Sequence, residues 1–284
     1  MDISRRKFLG TGIGLAGVVT GISSVNMPSK IASSYEVTKA KSSFILSYDD
    51  YGKELIAKSN EIFQGTKAEI KVDNLQDNKE ISNMYIFKRL PLITAIYRNQ
   101  QLRSLNQWPI TPLQSEQLLK QGKLPKPKKY WEDLALILYD VNGTNPNEAK
   151  ALLESLKKHR TDLGLSNSDL ESRLLIVNAG LEKDSSMPHG VKPVILPGLT
   201  KVYPHETLSR IEADHKFGYG LNNGLPSLSQ LSQGERTLYM PLNNENIGLR
   251  VLVRVMGLDL TARDVGLVSS DAGGRVNITR EKLM

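Results

Sequence analysis

The chain has 284 residues, 39% of them hydrophobic, a formal net charge of +7 and no cysteine. The missing cysteine excludes disulfides, cysteine-ligated iron–sulfur clusters and a catalytic thiol. Arg5, Arg6, Lys7 and Lys30 outweigh Asp2 in residues 1–34, so three of the seven excess charges lie there and +4 remains for residues 35–284, which is ordinary for that length and argues against nucleic acid as a partner.

Residues 4–24 read SRRKFLGTGIGLAGVVTGISS. A positive patch, an uncharged run from Phe8 to Val25 and a polar stretch containing Pro28 follow one another, the order of an export signal. Gly10, Gly12, Gly14, Gly17 and Gly21 dilute the run, each disfavouring a helix by up to ~1 kcal/mol relative to alanine, and an anchor would use more Leu, Ile and Phe. Ser4-Arg5-Arg6-Lys7-Phe8-Leu9 resembles the twin-arginine signal, S-R-R-x-F-L, at every fixed position. The resemblance implies export in folded form to the periplasm or the extracellular face of a prokaryotic cell. It makes the twin-arginine translocase a partner through Arg5 and Arg6, with no stable membrane span after cleavage. Ala32-Ser33-Ser34 is a usable small-residue cleavage site.

Beyond the signal, SSFILSY at 42–48 reads as a strand, Tyr51 to Phe63 as a helix stopped at Gly65, and AEIKV at 68–72 as a second strand. Residues 81–105 are dense in apolar side chains, but Pro91 argues against one unbroken helix. Together 35–105 form a small N-terminal α+β region. Residues 106–131 hold four prolines and Lys120, Lys123, Lys126, Lys128 and Lys129 before Tyr130 and Trp131. This is the sharpest break in composition, and it reads as a solvated, basic, proline-stiffened connector rather than a polyanion-binding patch.

Residues 132–284 then form an α/β domain. LALILY at 134–139 has the length of a buried strand, and Asn145-Pro146-Asn147-Glu148 starts a helix with proline in its first turn. Ala149, Leu152, Leu153 and Leu156 give that helix an apolar stripe, Lys157 to Arg160 suit its negative end, and Gly164 closes it. RLLIVNAG at 173–180 is a further strand, so strand, helix and strand predict a parallel βαβ unit. KPVILPG adds a strand and Pro204 to Lys216 a helix. RTLYMPL and IGLRVLVRVMGLDL favour strands, the latter with Val251, Val253 and Val255 on one face and Arg250, Leu252, Arg254 and Met256 on the other. The predicted class is α/β: a mixed sheet built on a parallel βαβ unit with antiparallel C-terminal strands.

The sharpest chemical pattern is LILYDVNGTN, an apolar strand delivering Asp140 to its carboxyl end before Asn142, Gly143 and Thr144. It resembles the first motif of the haloacid dehalogenase-like superfamily, D-x-D-G-T, over about ten residues. That resemblance implies a nucleophilic Asp140, a carboxylate able to attack a phosphoryl or carbon centre. Asn142 stands where the second aspartate would supply the proton, and Asn178 stands where a Ser or Thr would end a second strand. Ser269, Ser270 and Asp271 are similar to the acidic loop that closes such sites. An aspartate before Asn-Gly is also what a plain turn requires, and the incomplete set favours the turn.

Glu212 and His215 are three apart on the predicted helix and would share a face, a spacing found in carboxylate-bridged metal sites. A partner pair is missing, His205 is too far along the helix to join them, and a Glu–His surface pair is favoured. There is no G-x-S-x-G, no P-loop and no G-x-G-x-x-G, and GYGLNNG follows a helix rather than a strand. No cofactor is identified. Three function classes remain. A binding or accessory protein of the cell envelope, engaging an envelope protein or a small-molecule ligand, leads because the catalytic sets are incomplete. An exported phosphatase-like hydrolase using Asp140 follows, then a metal-binding protein using Glu212 and His215.

Overall fold

The computed structural model describes residues 43–45, 61, 64–66, 108–122, 131–188, 190–209, 214–241, 247–255, 258–262, 274–275 and 277–279. Among the described residues, thirteen strands and two α-helices run in the order β1 (Ser43–Ile45), β2 (Trp108–Pro109), α1 (Pro112–Lys120), β3 (Trp131–Leu138), α2 (Pro146–Lys158), β4 (Leu174–Val177), β5 (Gly180–Lys183), β6 (Val191–Val194), β7 (Lys201–Pro204), β8 (His215–Phe217), β9 (Arg236–Tyr239), β10 (Leu249–Arg254), β11 (Leu260–Thr261), β12 (Gly274–Arg275) and β13 (Asn277–Thr279). Seven strands form a sheet in the order β7-β4-β3-β10-β11-β9-β8, and β12 joins it along β3. β5 and β6 make a separate antiparallel pair, and β1, β13 and β2 a three-stranded sheet. The class is mixed α/β, with parallel pairs at β9–β11 and β12–β3 and antiparallel pairs elsewhere in the main sheet.

The expected parallel βαβ unit is corrected by the register: β3 and β4 are antiparallel, with Leu138 opposite Leu174. β4 thus starts at the end of the sheet that β3 has just left. A helix laid back along the sheet would deliver the chain to the opposite end, and the connection over 159–173, which includes a 3-10 turn at Ser168–Glu171, carries it back. Apolar strand–helix–strand spacing cannot distinguish these two returns.

Both faces of the sheet are covered, which is why β3 and β4 read as unbroken apolar runs rather than alternating ones. Leu136, Leu138, Leu174, Ile176, Val251 and Val253 point to a core filled by Ala149, Leu152 and Leu156 of α2 and by Leu181 and Val191 of the β5–β6 pair. Ile137, Leu175, Val177 and Leu252 point to a second core with Leu208, Phe217, Leu225 and Leu238. The expected alternation along β10 therefore holds from Val251 to Val253. Leu152 and Leu156 are fully buried, each worth roughly 2 kcal/mol of transfer free energy. α2 starts at Asn145-Pro146 as expected, although Asn145 takes a left-handed conformation and makes no side-chain cap. Gly164, also left-handed at φ 68°, follows the helix end.

Three further expectations change. RLLIVNAG is two strands, because Asn178 adopts φ 57° and breaks the ladder between β4 and β5. Of the helix predicted over 204–216, Glu206–Ser209 is a 3-10 turn and His215–Phe217 is β8, whose pairing with β9 overrides the helical spacing there; residues 210–213 lie outside the described residues. Within the stretch expected to be a solvated connector, Ile110, Pro112, Ser115, Glu116 and Leu119 are buried. Thr111 and Gln114 close a reciprocal capping box that starts α1. Lys120 is exposed, and Lys123, Lys126, Lys128 and Lys129 lie outside the described residues. So do residues 1–34 with Arg5 and Arg6, the expected helix over 51–63 apart from Glu61, and the expected strand at 68–72.

Candidate functional site

Asp140 stands exposed just beyond the carboxyl end of β3, where the apolar strand was expected to deliver it. Its Oδ1 accepts a hydrogen bond from the Asn142 backbone amide at 2.8 Å, the pattern of an Asx turn. The next residues clasp the start of β10. Thr144 Oγ1 accepts from the Gly248 amide at 3.1 Å, and Thr144 O from the Leu249 amide at 3.0 Å. Asn145 Nδ2 donates to Leu249 O at 3.1 Å. A Cβ on Gly143 would collide with the Ile247 carbonyl, and one on Gly248 with Thr144 O. The Asp-x-Asn-Gly-Thr pattern therefore has a full structural use: a carboxylate caps the turn, a glycine admits a crossing backbone and a threonine ties it down.

His215, the other described candidate, lies in β8 rather than on a helix, and its Nε2 is buried with no hydrogen-bond partner among the described residues. Glu212 and Asp271 lie outside the described residues. Among the described residues no three His, Asp or Glu side chains are placed to hold a metal ion together.

A shallow cleft of about 150 Å³ opens where the end of α2 meets edge strand β7, lined by His159, Asp162, Ile195, Thr200, Lys201 and Tyr203 among others. His159 Nδ1 lies 3.5 Å from Oδ2 of the largely exposed Asp162 carboxylate. Thr200 is committed to the fold, donating to Asn178 O at 2.9 Å and accepting from the Leu196 amide at 2.8 Å. Carboxylate, imidazole and ammonium around so small a volume suit a ligand of a few heavy atoms bearing both signs of charge. In the sequence His159 is visible only as a cation at a helix end, and nothing near it announces Lys201 or Tyr203.

On the other face of the sheet, Tyr139 stands beside Arg173, whose guanidinium carbon lies 5.9 Å from the ring centre. Arg173 Nη1 donates to Leu208 O at 2.8 Å. The Tyr139 hydroxyl is buried with no hydrogen-bond partner among the described residues, and burial pushes its titration well above the usual range although Arg173 and Arg250 pull it down. His205 is buried as a neutral ring: Nδ1 accepts from the Thr207 amide at 3.3 Å, so Nε2 donates to Asn222 O at 3.0 Å. Among the described residues two ion pairs are buried, Glu116 with Arg236 and Glu132 with Arg254. Burial pulls the Arg254 guanidinium down to about 10, partly opposed by the nearby Glu116 carboxylate.

Compared with known proteins, the chain matches no family model, no curated protein and no solved structure.

Proposed function

We propose that the chain is exported in folded form by the twin-arginine route and acts as a binding or accessory protein of the cell envelope. The signal-like Ser4 to Leu9 supports the export half of that reading. The observation that carries binding over hydrolysis is the Asp140–Asn142 hydrogen bond. A carboxylate whose Oδ1 caps its own turn, in a turn whose glycine is filled by the 247–248 backbone, is accounted for by the fold without a catalytic role. The cleft between His159, Asp162 and Lys201 is the place for a small polar ligand in this reading.

Asp140 nonetheless sits exposed at a strand end, which keeps a phosphatase-like hydrolase as the second reading. The two separate in one assay on the purified mature protein with a generic phosphomonoester. The binding reading expects no turnover. Turnover that disappears in Asp140→Asn would replace it with the hydrolase.

A further inference from the structure

We infer that Asn142 is a site of spontaneous deamidation and isomerisation, through attack of the Gly143 amide nitrogen on its side chain. Two Asn-Gly steps lie in the described residues, Asn142-Gly143 and Asn223-Gly224; both glycines are buried against a neighbouring segment, and the steps differ in the exposure, backbone conformation and side-chain partners of the asparagine. Asn142 is exposed, and its side-chain amide has no partner among the described residues. The Gly143 amide nitrogen, the nucleophile, donates no hydrogen bond there either. Glycine adds no side chain of its own beside that nitrogen, although the residue is buried against the Ile247 backbone. Asn223 is half-buried in a left-handed conformation at φ 54°, and Gly224 is wedged against Pro112 of α1.

The step balances without any oxidant or enzyme. The Gly143 nitrogen forms a bond to Asn142 Cγ, the Cγ–Nδ2 bond breaks, and ammonia leaves with the proton that the amide nitrogen gives up. The resulting five-membered imide is opened by water at either carbonyl, giving an aspartyl or an isoaspartyl residue. The aspartyl product places a second carboxylate two residues from Asp140. The isoaspartyl product moves one methylene from side chain to backbone, between the Asp140 cap and the Thr144 clasp on Gly248 and Leu249. The register of that clasp is then lost, so the turn carries a slow, irreversible clock for opening the junction between β3 and β10.

Ageing the full mature protein at mildly alkaline pH, then peptide mapping by mass spectrometry, tests this. The amide-to-acid mass change should accumulate several-fold faster at Asn142 than at Asn223, with both isomers resolved at 142. In a denatured control the two sites should react at comparable rates, and Asn142→Gln should remove the fast site. The aged wild type should melt lower than aged Asn142→Gln. An Asn142 that stays intact in the native protein while reacting in the denatured one, or that reacts no faster than Asn223, would overturn the inference.

Discussion

Arg236 grips Glu116 through two parallel guanidinium bonds, Nη1 to Oε2 at 2.5 Å and Nη2 to Oε1 at 2.8 Å, across 120 positions of sequence. Glu116 also accepts the Gly220 amide at 2.8 Å, while Arg236 donates to Gly218 O and Leu258 O and lies 4.5 Å over the Phe217 ring. One pair thus fixes α1, β9, the 218–220 loop and the approach to β11. Four of the five Arg236 N–H groups are engaged in this way, which is the condition under which the attraction can offset the desolvation of two charges.

Removing one member should therefore be far worse than removing both. Glu116→Leu leaves Arg236 buried and unpaired and should lower unfolding free energy by about 3 kcal/mol or more. The double variant Glu116→Leu/Arg236→Met should recover much of that loss. Urea denaturation of the three proteins measures it; a single variant as stable as the wild type would mean that α1 does not need the pair.

His205 should make stability fall in mild acid. Burial holds its imidazole below the ordinary histidine value, against the opposing pull of the bond to Asn222 and of the Glu206 carboxylate. Protonation would also disable Nδ1 as acceptor for the Thr207 amide. With the folded value depressed, the unfolded chain binds the proton more readily. The contribution is whole above about 6.5 and is lost as pH falls from there through the folded value. Unfolding free energy measured across that window should slope downward toward acid in the wild type and less so in His205→Gln. Equal slopes would remove His205 from the account.

Gly143→Ala should destabilise the protein by about 2 kcal/mol or more, because the added Cβ collides with the Ile247 backbone rather than with the end of a flexible side chain. Thermal melting of that variant beside Asp140→Asn separates two parts of one turn. The asparagine at 140 can still accept the Asn142 amide and should change stability by less than about 1 kcal/mol.

How much of this was legible in the sequence depended on range. α2 was readable because proline in its first turn and the Ala149–Leu152–Leu156 stripe act within a few residues. The two faces of β10 were readable because alternation is a local property. The pairing direction of β3 and β4 was not, since it is set by where the 159–173 link returns the chain. Pro204 to Lys216 carried helical spacing, yet the partner that claims His215–Phe217 lies in β9. Glu116 looked like one more polar residue in a lysine-rich, proline-rich stretch, and only the distant Arg236 gives it meaning. Asp140 was readable as turn or nucleophile, and a backbone amide two residues on supports the turn.

The most direct test of the central reading is the fate of the precursor when Arg5 and Arg6 are both replaced by lysine. That change keeps the charge and removes the guanidinium pair that the twin-arginine route reads. Cell fractionation should find the wild-type chain exported, and the double-lysine precursor folded and retained in the cytoplasm. Export of the double-lysine precursor at the wild-type level would contradict the account.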